Sequence, residues 1–356
     1  MRALAPETNM RLALAFGAFS LAYALSAARI GHGAPDFYVF WTAAQHWQAP
    51  YDPAIIAKLE AAIHLGGTWP FAYPPTFLLI VWPFAQLPLA IAYPLWTGLG
   101  CGLFFFAASH LIRPTYATAL LAICPVVFFS AELGQTSLLV AAAMIGAWLM
   151  RDNRPALAGV LLGLAACIKP QAMLLAPIVF WGRWRTLAWM AAAGAALVAA
   201  SLVFGWRRWA EWPHALAAFR ALAPLTERIN PSALIAAPWW AAIVGVFGLG
   251  LALTSRDLVG LVGGALCLTP YAHAYDLVPL TPLAASWLFE RKTHGWGLAI
   301  AGGALLGGLI ASPAAALAFL GAIAALKSRI GARTILSRIA PVATTTLSPS
   351  ASNQDA

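Results

Sequence analysis

The chain alternates long apolar runs with short polar clusters, and most runs lack the alternation or one-sided stripe of an element that faces water. In hydrocarbon only helices and closed barrels satisfy their own backbone groups, and a helix needs about 20 residues to cross. The pattern predicts spans at roughly 12–30, 89–111, 115–131, 136–150, 187–205, 233–254, 258–272, 277–289, 296–310 and 312–326. The run 155–181 reads in two ways: one long span with Lys169 at its centre, or two short helices turning at Lys169-Pro170. The second is preferred, because it keeps Arg151, Arg154, Arg183 and Arg185 on one side of the membrane. Between Tyr73-Pro74-Pro75 and Leu87-Pro88 lie only about 13 apolar residues, which predicts an interfacial or re-entrant helix.

With the N-terminus in the cytoplasm, 31–88 and 206–232 fall outside and the clustered bases mostly inside. The expected fold is an all-α polytopic membrane protein, a bundle of about 10–13 transmembrane helices with a long first outer loop. One integral membrane domain, 1–326, is followed by a basic cytoplasmic end carrying Lys327, Arg329, Arg333 and Arg338. A Ser/Thr-rich tail then runs from Val342 to Ala356 and is expected to be disordered. Arg2 and Arg11 precede the apolar run Leu12 to Leu25, read as an uncleaved first span rather than a signal peptide.

Composition sharpens this picture. The 356 residues are 62% hydrophobic and 9% charged, against roughly 25% charged in a soluble domain. The net charge of +9 is spread in ones and twos, so no basic stripe for nucleic acid exists and that class is excluded. Cys101, Cys124, Cys167 and Cys267 stand singly in apolar segments, with neither zinc-motif nor disulfide spacing.

Charged residues are scarce, so each candidate can be weighed. Asp36, in Pro35-Asp36-Phe37-Tyr38, reads as a helix N-cap or as a general base at the membrane surface. Lys169 either snorkels to an interface or, at an outer turn, neutralises a phosphate. Glu132, near Gln135, is a solvated helix end, a second acid or a metal ligand. His273 and Asp276, three apart, would share one helical face near an outer end. Arg207 and Arg208 open an outer loop whose four arginines break the positive-inside rule, for which anion binding is one reason. A divalent ion would need Asp36, Glu132 and Asp276 to converge, and no zinc, nucleotide or triad signature is present.

The order of the motifs carries more than any one of them. Asp36-Phe37-Tyr38 is followed by Tyr51-Asp52-Pro53 and by Tyr73-Pro74-Pro75-Thr76-Phe77. Later come Gly134-Gln135-Thr136-Ser137, Gly159-Val160-Leu161-Leu162-Gly163 and Lys169-Pro170-Gln171, then Trp184-Arg185. This succession, over about 12–205, resembles glycosyltransferase family 87 of the GT-C superfamily. Thr269-Pro270-Tyr271 to Tyr275-Asp276 is similar to that family's C-terminal outer-end motif.

The resemblance implies a GT-C-like catalytic module over about 12–205, with further spans in 233–326. It implies transfer of a sugar, mannose by analogy, from a polyprenyl-phosphate donor to a glycan or glycolipid acceptor. The expected setting is the outer face of a bacterial cytoplasmic membrane, facing the periplasm or the cell exterior. Asp36 occupies the place of the catalytic aspartate and would deprotonate the acceptor, with inversion at the anomeric carbon. Lys169, with Arg207 and Arg208, would hold the leaving phosphate. Tyr38, Tyr73, Gln135, His273 and Asp276 would shape the sugar and acceptor pocket. The competing reading is a transporter or flippase of a lipid-linked intermediate, and a third is a non-catalytic assembly subunit. Transport predicts polar groups near the midplane and an internal repeat, whereas the acids here cluster at predicted outer ends.

Overall fold

A computed structural model describes residues 35–62, 70–112, 120–222, 228–270, 272–289, 302, 313–321 and 323–324. The expected spans at 12–30 and 296–310, the basic end and the Ser/Thr tail lie wholly or largely outside the described residues, as do Glu227 and Tyr271. The described residues form helices and connecting turns, with no strand. In order they are α1 (Pro35–Gln45), α2 (Pro53–Ala62), α3 (Pro75–Ala85), α4 (Leu89–Leu111), α5 (Pro125–Glu132), α6 (Ser137–Met150) and α7 (Pro155–Ile168). Then follow α8 (Ala176–Val179), α9 (Trp184–Ser201), α10 (Arg207–Leu222), α11 (Pro238–Ser255), α12 (Leu258–Leu268) and α13 (Thr281–Phe289).

Proline sets many of these starts. A proline at the first helical position gives up an N–H that would be unpaired there anyway, as Pro75, Pro125, Pro155 and Pro238 do. The segments Leu89–Leu111, Trp184–Phe204 and Pro238–Ser255 are long and apolar enough to cross a membrane. Many of their large side chains stay exposed, including Trp184, Trp189, Ile243 and Val246. Water would penalise such a surface, and hydrocarbon does not. The protein is an all-α membrane protein.

The run 155–181 adopts the hairpin. α7 stops at Ile168, Pro170 opens a 3₁₀ turn to Met173, and α8 completes the return. Arg183 Nε donates to Asp152 Oδ1 at 3.0 Å, tying the far ends of the α6–α7 and α8–α9 connections together. Arg151, Asp152 and Arg183 therefore share one end of the bundle, and Gln135, Ser137 and Lys169 the other.

α7 lies along α9. A Cβ on Gly159 would sit 2.3 Å from the Thr186 carbonyl, and one on Gly163 2.8 Å from Ala193 Cβ. These small residues four apart let two backbones touch where no hydrophobic force drives helices together.

Two expected spans come out differently. The 115–131 run breaks at Cys124-Pro125, where helical residues 120–122 give way to the separate eight-residue α5, because Pro125 cannot donate into a continuing helix. The 277–289 run is a 3₁₀ segment, Ala274–Leu280, followed by α13. The predicted outer loop 206–232 is largely the helix α10, whose inner face carries Trp212, Ala215, Leu216 and Phe219 at helical spacing.

Candidate active site

The end of the bundle where α6 starts and α7 stops holds a cavity of about 620 Å³. α1, the 70–74 turn, the α5–α6 turn, the Lys169 turn, α10, Pro270 and residues 273–276 form its wall.

Asp36 reaches this wall through local backbone geometry. Gly134 has φ +66°, so α5 ends in a left-handed turn that glycine adopts without penalty. A Cβ at Gly134 would lie 2.5 Å from Phe37 Cβ. Into that gap packs the first turn of α1, with Phe37 N donating to Leu133 O at 3.1 Å. From α4, Trp96 Nε1 donates to Gly134 O at 2.8 Å and Tyr93 Oη to Glu132 O at 2.9 Å. The N-cap reading of Asp36 is corrected here: α1 starts at Pro35, and Asp36 is inside its first turn. Asp36, Val39 and Phe40 line the cavity, as side chains at i, i+3 and i+4 do.

Gln135, buried behind Asp36, donates from Nε2 to Asp36 Oδ2 at 2.5 Å. Its Oε1 accepts from Tyr73 Oη at 3.1 Å and from Thr136 N at 3.2 Å. Tyr73 is wedged between Phe40 and Phe77, and its carbonyl accepts from Tyr51 Oη at 2.9 Å. Burial pushes the Tyr73 phenol well above its ordinary range, against a lowering by the Thr136 hydrogen bond, with lesser raising effects from the charges of Asp36 and Asp276.

Across the cavity, Lys169 caps the broken end of α7. Its Nζ lies 2.7 Å from Asp276 Oδ1 and 3.4 Å from Ser137 Oγ, and 4.6 Å from the centre of the Tyr275 ring. The lysine is buried, which requires such a partner. Asp276 Oδ2 accepts from His273 N at 2.9 Å. His273 and Asp276 are the N-cap and third residue of a 3₁₀ turn, each capping the other, rather than neighbours on a helical face. Asn230 pins this segment, its Oδ1 accepting from Ala272 N at 3.2 Å.

α10 roofs the cavity. Trp212, Leu216 and Phe219 line it, and Trp212 Nε1 donates to Ala72 O at 3.0 Å, fastening the roof to the Tyr73 turn. These aromatic and apolar residues were not picked out from the sequence. Their spacing of four and three was the signal, hidden by the arginines around them.

The cavity thus brings together Asp36, Tyr73, Gln135, Lys169, His273 and Asp276. It does not include Tyr38, Arg207 or Arg208 among its lining residues. Tyr38 is two residues from Asp36, about 200° around the helix, and packs edge-on against Trp41. Arg207 is exposed, and Arg208 pairs with Glu211 on the first turn of α10. Glu132 contributes its carbonyl to Tyr93 and does not line the cavity. Among the described residues no three His, Cys, Asp or Glu side chains gather as a metal site would need, so the three carboxylates do not converge.

The arrangement can hold an ionised carboxylate facing one part of a reactant and a fixed ammonium facing another. A family model described as glycosyltransferase family 87 matches residues 71–313. No curated protein and no solved structure matches the chain.

Proposed function

The chain belongs to glycosyltransferase family 87, and from that premise we propose that it moves a hexose, mannose in our reading, from a polyprenyl-phosphate donor to a glycan or glycolipid acceptor. The observation that carries the proposal is a single cavity lined both by Asp36, which lies outside the matched region 71–313, and by Lys169, which lies inside it. The surrounding helices expose apolar side chains to lipid, so an isoprenoid-linked substrate reaches the cavity from the bilayer rather than from water.

In this mechanism the acceptor hydroxyl attacks C1 of the sugar while Asp36 takes its proton. The bond from C1 to the phosphate oxygen breaks, its electrons leave with polyprenyl phosphate, and one displacement inverts the anomeric carbon. Lys169 stabilises the charge that develops on the leaving oxygen. An ammonium has three N–H donors; Asp276 and Ser137 take two, and the third serves a phosphate oxygen. Asp276 holds the lysine in place. Arg207 and Arg208 have no part in this scheme. The cavity end of the bundle then faces the periplasm or exterior, with Arg151, Arg154 and Arg183 at the cytoplasmic side.

The test is transfer from synthetic polyprenyl-phosphate sugars by the purified protein, beside Asp36→Asn. Loss of turnover in a variant that still melts like the parent and binds donor supports the base. Undiminished transfer by Asp36→Asn sinks it. Lipid flipping without transfer to any acceptor would favour the transporter reading.

A further inference from the structure

Gln135 stands where a substrate-binding amide would be useful, yet its hydrogen bonds point elsewhere. We propose that Gln135 is a positioning residue for Asp36, aimed by Tyr73 and Thr136, rather than a group that reads the sugar. The proposal rests on the reading of Asp36 as the base.

The amide's orientation follows from its partners. Thr136 N is a backbone donor and can pair only with an oxygen, so the Gln135 atom 3.2 Å from it is Oε1. Tyr73 Oη gives the same oxygen a second hydrogen bond at 3.1 Å. An amide oxygen has two lone pairs, and these two donors fill them. The NH₂ group must then face Asp36 Oδ2, to which it donates. Thr136 Oγ1 lies 3.1 Å from Tyr73 Oη. Because the Tyr73 proton goes to Gln135, the Thr136 hydroxyl gives its own to Tyr73. The result is a one-way chain, Thr136 to Tyr73 to Gln135 to Asp36, in which each bond polarises the next.

Packing and hydrogen bonds hold the chain in this orientation. Gln135 and Thr136 are buried, Gln135 N donates to Ser130 O at 2.9 Å, and the Tyr73 ring is packed on two sides. The chain fixes the plane of the Asp36 carboxylate and supplies a donor to its ionised form. A base needs both: a fixed direction for proton capture and the charged state at working pH.

The test is the pH dependence of kcat and KM for polyprenyl-phosphate sugar transfer. Besides Asp36, the titratable groups on the cavity wall among the described residues are Tyr73, Lys169, His273, Tyr275 and Asp276, so the comparison is always of variant with parent. A donor to a carboxylate favours the charged form, and removing it disfavours that form. Gln135→Ala should therefore move the acid limb of kcat/KM to higher pH and lower kcat roughly ten- to a hundredfold, with KM for the donor nearly unchanged. Tyr73→Phe, which keeps the packed ring, should shift the limb in the same direction by less. In the Asp36→Asn background Gln135→Ala should cost nothing further, because it acts only through Asp36.

A raised donor KM with an unmoved limb would overturn the proposal and make Gln135 a sugar-binding group. So would full additivity with Asp36→Asn. Either result leaves the base reading intact, which fails separately if Asp36→Asn alone turns over. Tyr73→Phe decides the question if Gln135→Ala does not fold.

Discussion

Replacing Gly134 with alanine tests how Asp36 is held. Two costs add. At φ +66° a residue with a Cβ loses about 1–2 kcal/mol. The new Cβ would also sit 2.5 Å from Phe37 Cβ, where carbon atoms prefer about 3.5–4.0 Å, so one backbone must move by about 1 Å. Overpacking of this kind costs about 1–3 kcal/mol, giving about 2–5 kcal/mol in total. Phe37 cannot yield by rotation, since the clash is at its Cβ and its ring is fully buried against Tyr93 and Trp96. The first turn of α1 must therefore shift, taking Asp36 with it. A misplacement of about 1 Å lowers a rate by up to a hundredfold. Thermal melting in detergent, beside the transfer rate at a temperature where both proteins are folded, separates the two effects. Gly182→Ala is the control: its φ is +86° but its Cβ would meet nothing within 4 Å, so only the conformational cost applies. Should Gly134→Ala melt and turn over like Gly182→Ala, the account of how Asp36 is placed is wrong.

Two further outcomes follow from the other wall and the margin of the site. Lys169→Met should lower the single-turnover rate about 10²–10³-fold, the usual cost of losing one charge-stabilising donor. Asp276→Asn should spare more of the rate but lower the melting temperature, costing at most about 3 kcal/mol, because Asp276 keeps 24% of its side-chain surface exposed; equal rate losses would show that both groups touch substrate. For Tyr51, burial and then the Glu211 charge raise the phenol, against a smaller lowering by Arg208. A phenol raised in the folded state contributes stability that is present below its unfolded value near 10 and is lost as pH rises beyond it. The melting temperature should fall more steeply above pH 10 in the parent than in Tyr51→Phe.

The sequence by itself determined the solvent and the local shape. Long unbroken apolar runs can only be stable in lipid, and the basic clusters favoured a turn at Lys169 in 155–181 over one long span. Proline marked where several helices begin, although Pro125 in the 115–131 run was not read as a break. A scarcity of charge made Asp36 and Lys169 conspicuous, and the order of motifs pointed to the family that the chain proves to match over 71–313.

Only the tertiary structure decided which of these residues meet. Asp36 finds Gln135 across 99 residues and Lys169 finds Asp276 across 107. Periodicity reports which face of a helix is apolar, and in a membrane protein both the lipid-facing and the core-facing sides are apolar. The pattern therefore cannot say which faces pair. It likewise left α10 looking like a basic loop, because its inner stripe becomes a roof only when a cavity lies beneath it. Tyr38 stands two residues from Asp36 but about 200° around α1, and Arg207 and Arg208 lie on the first turn of α10, before the residues of that helix that line the cavity; both offsets count only once the backbone is folded.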